Sequence, residues 1–165
     1  MKTSRALIIV LVLAILGVFT LAWVRNRQVI KSPTIEQISI EEGCYTATNE
    51  KDIYTLNIQN IQGNKVSGFL SLKNFEKDSS SGIFNGIYNK DTGVLLADYS
   101  FQSEGILSDM QVIFKKSGDD FIRGYGSLNQ DGTRFTDLEN ITYDEASPLS
   151  VFKKGECYPV DTSGK

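Results

Sequence analysis

From Gly43 onward the chain alternates apolar and polar residues in short runs, each closed by a cluster of Gly, Asn, Asp or Ser. A period of two is the signature of strands with one buried face, and no helix can be built on it. Tyr54, Leu56 and Ile58 share one parity before Gly63-Asn64 turns the chain. Val66, Leu70 and Leu72 then oppose Ser67, Ser71 and Lys73, with Phe69 the exception. The run 83–88 meets a turn at 89–93, after which Leu95, Ala97, Tyr99 and Phe101 alternate with Leu96, Asp98, Ser100 and Gln102. Beyond Ser103-Glu104-Gly105, Met110, Val112 and Phe114 oppose Gln111 and Lys115, and Gly118-Asp119-Asp120 turns into the run 121–128. Residues 133–152 are less regular.

These runs predict an all-β domain, an antiparallel up-and-down meander of about eight strands at a spacing of about ten residues. An open meander exposes two unpaired edges. Closure at about eight strands removes them and makes a small barrel that is either filled by side chains or holds one ligand. The consecutive hairpins favour such a closed barrel, lipocalin- or avidin-like, over the alternative of a two-sheet sandwich with crossovers.

Before this domain, residues 6–24 form a nineteen-residue stretch without charge, interrupted only by Gly17 and Thr20. As a helix it would span roughly 28 Å, close to the roughly 30 Å of a bilayer's hydrocarbon core. The run is long for a signal-peptide core, and Trp23 followed by Arg25 suits a membrane interface. The expected organisation is an N-terminal transmembrane helix within 1–25, a linker over 26–42, a barrel domain over 43–158 and a tail over 159–165. A cleaved signal peptide ending near Thr20-Leu21-Ala22 is the alternative. Lys2 and Arg5 on one side nearly balance Arg25, Arg27 and Lys31 on the other, so charge alone does not orient the span.

Cys44 and Cys157, the two cysteines of the chain, lie at opposite ends of the β region. A disulfide tying those ends is predicted, and such a bond persists outside the cytoplasm. The expected location is therefore a single-pass protein of the cell membrane with its C-terminal domain extracytoplasmic. No histidine occurs among the 165 residues. The Ser-His-Asp triad, the Cys/His dyad and the usual zinc sets are excluded on that ground, and no enzyme activity, metal or cofactor is expected. Asp119-Asp120 and Asp131-Gly132 lack the full calcium-loop pattern and read as turns. Beyond residue 24 there are 15 Lys and Arg against 20 Asp and Glu with no basic stripe, which argues against a nucleic-acid partner.

Several segments in order, Cys44-Tyr45, Glu76-Lys77-Asp78, Tyr99-Ser100-Phe101-Gln102-Ser103-Glu104-Gly105, Val112-Ile113-Phe114-Lys115 and Gly124-Tyr125-Gly126, resemble a recurrent group of small bacterial envelope proteins and lipoproteins. The likeness covers about half of the chain and implies an envelope location, with no established function to carry over. This chain departs from that group in having a bare apolar run with no cysteine close behind it for lipid attachment.

Barrel mouths usually place ligand contacts at strand ends and turns. On that basis Glu76, Asp78 and Glu104, at polar turns, and Tyr99 and Phe101, on the aromatic face of the run 94–102, are the candidate ligand-binding residues. The expected function is a non-catalytic, membrane-tethered binding module for a small apolar ligand or an envelope component. The alternative is an interaction or inhibitor module acting on an envelope or lytic, lysozyme-like enzyme, whose basic surface an acidic domain would suit.

Overall fold

The computed structural model describes residues 38–157. The expected membrane span, most of the linker and the C-terminal tail lie outside the described residues.

Nine strands follow one another: β1 (Gly43–Thr48), β2 (Ile53–Gln62), β3 (Lys65–Lys73), β4 (Ser80–Asn89), β5 (Val94–Ser103), β6 (Ile106–Ser117), β7 (Asp120–Tyr125), β8 (Thr142–Tyr143) and β9 (Val151–Gly155). Each of β1 to β7 pairs antiparallel with the next, and β9 pairs antiparallel with both β7 and β1, so eight strands close into a barrel. The short β8 is an addition. It takes the far end of the β7 edge, at Gly124 and Tyr125, while β9 takes the near end at Phe121 and Ile122.

The meander reading holds through β7 and is corrected after it. The run expected over 121–128 ends as a strand at Tyr125, and the closing strand comes only after an excursion through 126–150. That excursion packs on the outside of the barrel. At Gly124 an added Cβ would meet Ile141 Cγ2 at 2.5 Å and Ile113 Cγ2 at 2.7 Å, and at Gly126 it would meet Ile141 Cδ1 at 2.6 Å. The two glycines flanking Tyr125 therefore form the seat of Ile141.

Inward-facing residues fill the barrel. Tyr45, Leu56, Ile58, Val66, Leu70, Phe84, Tyr88, Leu95, Phe114, Phe121 and Phe152 are all essentially inaccessible to solvent. Tyr45 meets Phe121 edge-on with centroids 4.8 Å apart, and Phe114 meets Phe152 likewise at 5.3 Å. Gly68 faces inward where a Cβ would lie 2.9 Å from the Phe84 ring, so the absence of a side chain there makes room for the aromatic layer. A bulge between Ile58 and Asn60 resets the parity of β2, which keeps Ile61 on the core side.

Antiparallel alternation places the β2–β3, β4–β5 and β6–β7 turns at one end with the start of β1 and the end of β9. Cys44 and Cys157 are joined there by a disulfide with Cα atoms 5.0 Å apart across 113 residues. The segment preceding β1 covers that end. Ile38 donates its amide to the Lys90 carbonyl at 3.2 Å and accepts from the Tyr88 hydroxyl at 3.2 Å, while Ile40 packs against the core. Lys116 faces inward nearby. Its ammonium donates to the Gly118 carbonyl at 2.8 Å and lies 5.1 Å from the Phe121 ring centroid, and burial pulls its pKa below the ordinary lysine value.

Candidate functional site: the barrel mouth

The opposite end carries the β1–β2, β3–β4 and β5–β6 connections and the end of β7. Among the described residues no disulfide or entering segment covers it. Inward-facing residues that are sealed at mid-barrel give way here to half-buried ones: Tyr54 on β2, Leu72 on β3, Phe101 on β5, Met110 on β6 and Arg123 on β7.

Two of the sequence-predicted residues sit together inside this mouth. Tyr99 is buried, and Phe101 stacks on it with ring centroids 4.8 Å apart and planes 20° from parallel. The Tyr99 hydroxyl lies 3.1 Å from the Leu70 carbonyl, to which it donates, and 3.2 Å from Ser80 Oγ, from which it accepts. Burial is the main cause of its phenol being pushed up to about 12, with the Ser80 bond and the Arg123 charge pulling the other way. Tyr99 is thus a floor residue held by its own hydrogen bonds, and Phe101 offers the accessible surface.

The three carboxylates are placed differently. Glu76 and Asp78 are exposed in the β3–β4 connection, and Glu104 is exposed at the β5–β6 turn with φ of 49°. They stand at the rim on two separate hairpin connections. The Asp78 carbonyl, not its carboxylate, is engaged, accepting from Asn74 Nδ2 at 2.6 Å. Among the described residues no group of three or more Cys, Asp or Glu side chains is placed to hold a metal ion.

A framework of side-chain hydrogen bonds ties this side of the rim together. Asn49 Oδ1 accepts from the amides of Lys51 and Asp52, at 2.8 and 2.6 Å. Asp52 Oδ1 accepts from the Phe75 amide at 2.9 Å, bridging the β1–β2 turn to the β3–β4 connection. The Tyr54 hydroxyl donates to Asn74 Oδ1 at 2.7 Å, so a mouth residue is anchored to the same connection.

Arg123 is the mouth residue that sequence reasoning missed. It is the register partner of the fully buried Phe114 and shares parity with Phe121, so its side chain starts from the inner face of β7. Its guanidinium lies 5.4 Å from the Tyr125 ring centroid. Its backbone amide donates to the Ser150 carbonyl at 2.8 Å, but among the described residues its guanidinium has no hydrogen-bond or ion-pair partner, unlike that of Arg134, which pairs with Asp98 at 3.1 Å on the surface. The signal was present in Phe121-x-Arg123-x-Tyr125: a cation at the apolar parity of a strand.

The wall between β6 and β7 is incomplete at this end. Pairing of β6 with β7 begins only at Ile113, and the Gln111 amide is met by the Thr133 carbonyl of the outer excursion at 2.7 Å. Among the described residues, 106–110 therefore pair with β5 alone. By the alternation of the ladder, Leu107 and Asp109 turn their backbone N–H and C=O toward this free edge. Ile106 and Leu107 at its tip are 66% and 82% exposed.

A concavity of about 360 Å³ lies on the outer face of β2 to β4, lined by Asn60, Gln62, Lys65, Ser67, Asn85 and Ile87 among others. It is an open groove of mixed polar and apolar lining that none of the mouth residues enters. No family model, curated protein or solved structure was found to match the chain.

Proposed function

We propose that this protein is a non-catalytic binding module, held at the cell membrane by residues 6–24 with its barrel outside the cytoplasm, that takes a small apolar or amphipathic ligand at the barrel mouth. One observation supports the reading above others: the inward face changes from sealed aromatics at mid-barrel to half-buried Tyr54, Phe101, Met110 and Arg123 at the end opposite the disulfide. A filled middle leaves no deep cavity for a wholly engulfed ligand, so the binding mode is a shallow one in which part of the ligand stays exposed. The test is mass spectrometry of the protein released from its native membrane. Retention of an apolar or amphipathic small molecule that is lost on Phe101→Asp substitution is the expected result, and a protein that is empty and takes up no such compound on titration overturns the reading.

A second reading, a protein-contact role that includes inhibition of a basic lytic enzyme, is favoured by the β5–β6 hairpin. Its exposed Ile106 and Leu107 adjoin an unpaired strand edge, which is a template for an added strand from another chain. Lysozyme activity unchanged by an excess of the protein would count against the inhibitor form.

A further inference from the structure

We infer that Arg123 is the anion-binding group of the mouth, and that the ligand is a monoanion carrying an apolar body, the carboxylate, sulfonate or phosphate diester of an amphipathic molecule. The inference rests on the mouth reading above and names its ligand class.

Three observations converge. Arg123 arises from the inner face of β7, opposite Phe114, where a strand of a filled barrel ordinarily places an apolar residue. Arg123 is half-buried as a residue while its guanidinium nitrogens still reach solvent, and among the described residues none of those side-chain donors meets an acceptor and no carboxylate pairs with it, so the fork is free to receive a ligand. The other inward cation, Lys116, has a carbonyl acceptor at 2.8 Å, so lack of a partner is particular to Arg123 and not a habit of this barrel. The planar fork of Arg123 matches an oxyanion bidentately, and half-buried Phe101, Met110 and Tyr54 supply the surface for an apolar body. The exposed rim carboxylates Glu76, Asp78 and Glu104 disfavour a polyanion, which restricts the charge to one.

The experiment uses the full chain in phosphatidylcholine nanodiscs, with empty discs as the blank. Calorimetric titration compares naphthalene-2-sulfonate with naphthalene-2-sulfonamide, the same rings with and without the charge. The sulfonate binds more tightly by roughly tenfold, the scale of one charge-assisted bidentate contact. In Arg123→Gln that preference falls to about onefold while the sulfonamide still binds, and in Arg123→Lys it is intermediate. Should Arg123→Gln not fold, the wild-type salt response decides: raised ionic strength weakens the sulfonate and leaves the sulfonamide unchanged. Equal affinity for the two probes, unaffected by the substitution or by salt, overturns the anion assignment and leaves the mouth reading standing. Binding of neither probe overturns both. Adding phosphatidylglycerol to the discs separates the sources, since competition with the sulfonate assigns the site to a lipid headgroup and its absence to a free small acid.

Discussion

The Asp52 carboxylate accepts a hydrogen bond from the Phe75 backbone amide at 2.9 Å, and this contact joins two hairpin connections that are adjacent only because the barrel brings β1–β2 and β3–β4 to one end. Phe75 in turn lies beneath the Lys51 ammonium, 4.7 Å from its ring centroid. The rim on this side is a cross-linked ledge and not two independent turns.

Asp52 makes the rim sensitive to acid. The Phe75 amide, then the Asn49 side chain, hold its carboxyl below the ordinary aspartate value. A depressed folded-state pKa contributes stability above the unfolded value of 3.8 that is lost as pH falls through the folded value. The protection factor of the Phe75 amide, its exchange rate relative to the intrinsic rate at the same pH, is therefore expected to fall below that pH, and Asp52→Asn is expected to remove this acid dependence. A Phe75 protection factor that does not change with pH in the wild-type protein would contradict this.

Tyr99 sets a limit at the alkaline side. Its pKa is raised from 10.0 to about 12, and burial also raises Tyr45, Tyr54, Tyr88 and Tyr143. A raised pKa on a group that is neutral when protonated means that the folded state retains the proton while the unfolded chain releases it, so stability falls as pH rises from 10 toward 12. Ultraviolet titration of tyrosinate is expected to lag in the folded protein relative to denatured chain. Tyr99→Phe, which removes the buried hydroxyl's bonds to Leu70 and Ser80 while the Leu70 carbonyl keeps its place in the ladder, is expected to cost about 0.5–1.5 kcal/mol in denaturant unfolding.

The disulfide closes the longest loop of the domain. Reduction, Cys44→Ser or Cys157→Ser is each expected to lower stability by about 4–5 kcal/mol in the chain-entropy view, and the double variant is expected to lose no more than either single one. Thiol titration of oxidised, folded protein is expected to find none free. Unequal single variants would show that one cysteine has a role apart from the bond.

Gly124 and Leu107 make a contrasting pair. Gly124→Ala drives a Cβ into Ile141, Ile113 and Tyr143 and is expected to destabilise by about 1–3 kcal/mol through overpacking. Leu107→Ser, at a site 82% exposed, is expected to leave stability within about 0.5 kcal/mol while weakening any partner docked on the β5–β6 hairpin. Thermal melts of both variants check the pair.

Much of this was determined by the sequence alone, because it depends on a local period. Alternation over 94–102 places Leu95, Ala97, Tyr99 and Phe101 on the inner face, where they are found, and Gly63-Asn64 turns β2 into β3. The pairing of Cys44 with Cys157 followed from there being two cysteines at the ends of one domain. Tertiary structure decided what depends on closure. The eighth strand of the barrel could not be read off, since β9 is only five residues long and pairs with β7 and β1 far away in sequence. That the Tyr99 hydroxyl is engaged by Leu70 and Ser80 on neighbouring strands is visible only in the tertiary structure, whereas in the sequence Arg123 shows as no more than a cation at the apolar parity of its strand. Its meaning comes from the surroundings that closure assembles: a charge of no note on an open strand becomes a half-buried arginine, its guanidinium without a partner among the described residues, once seven other strands bound the space around it.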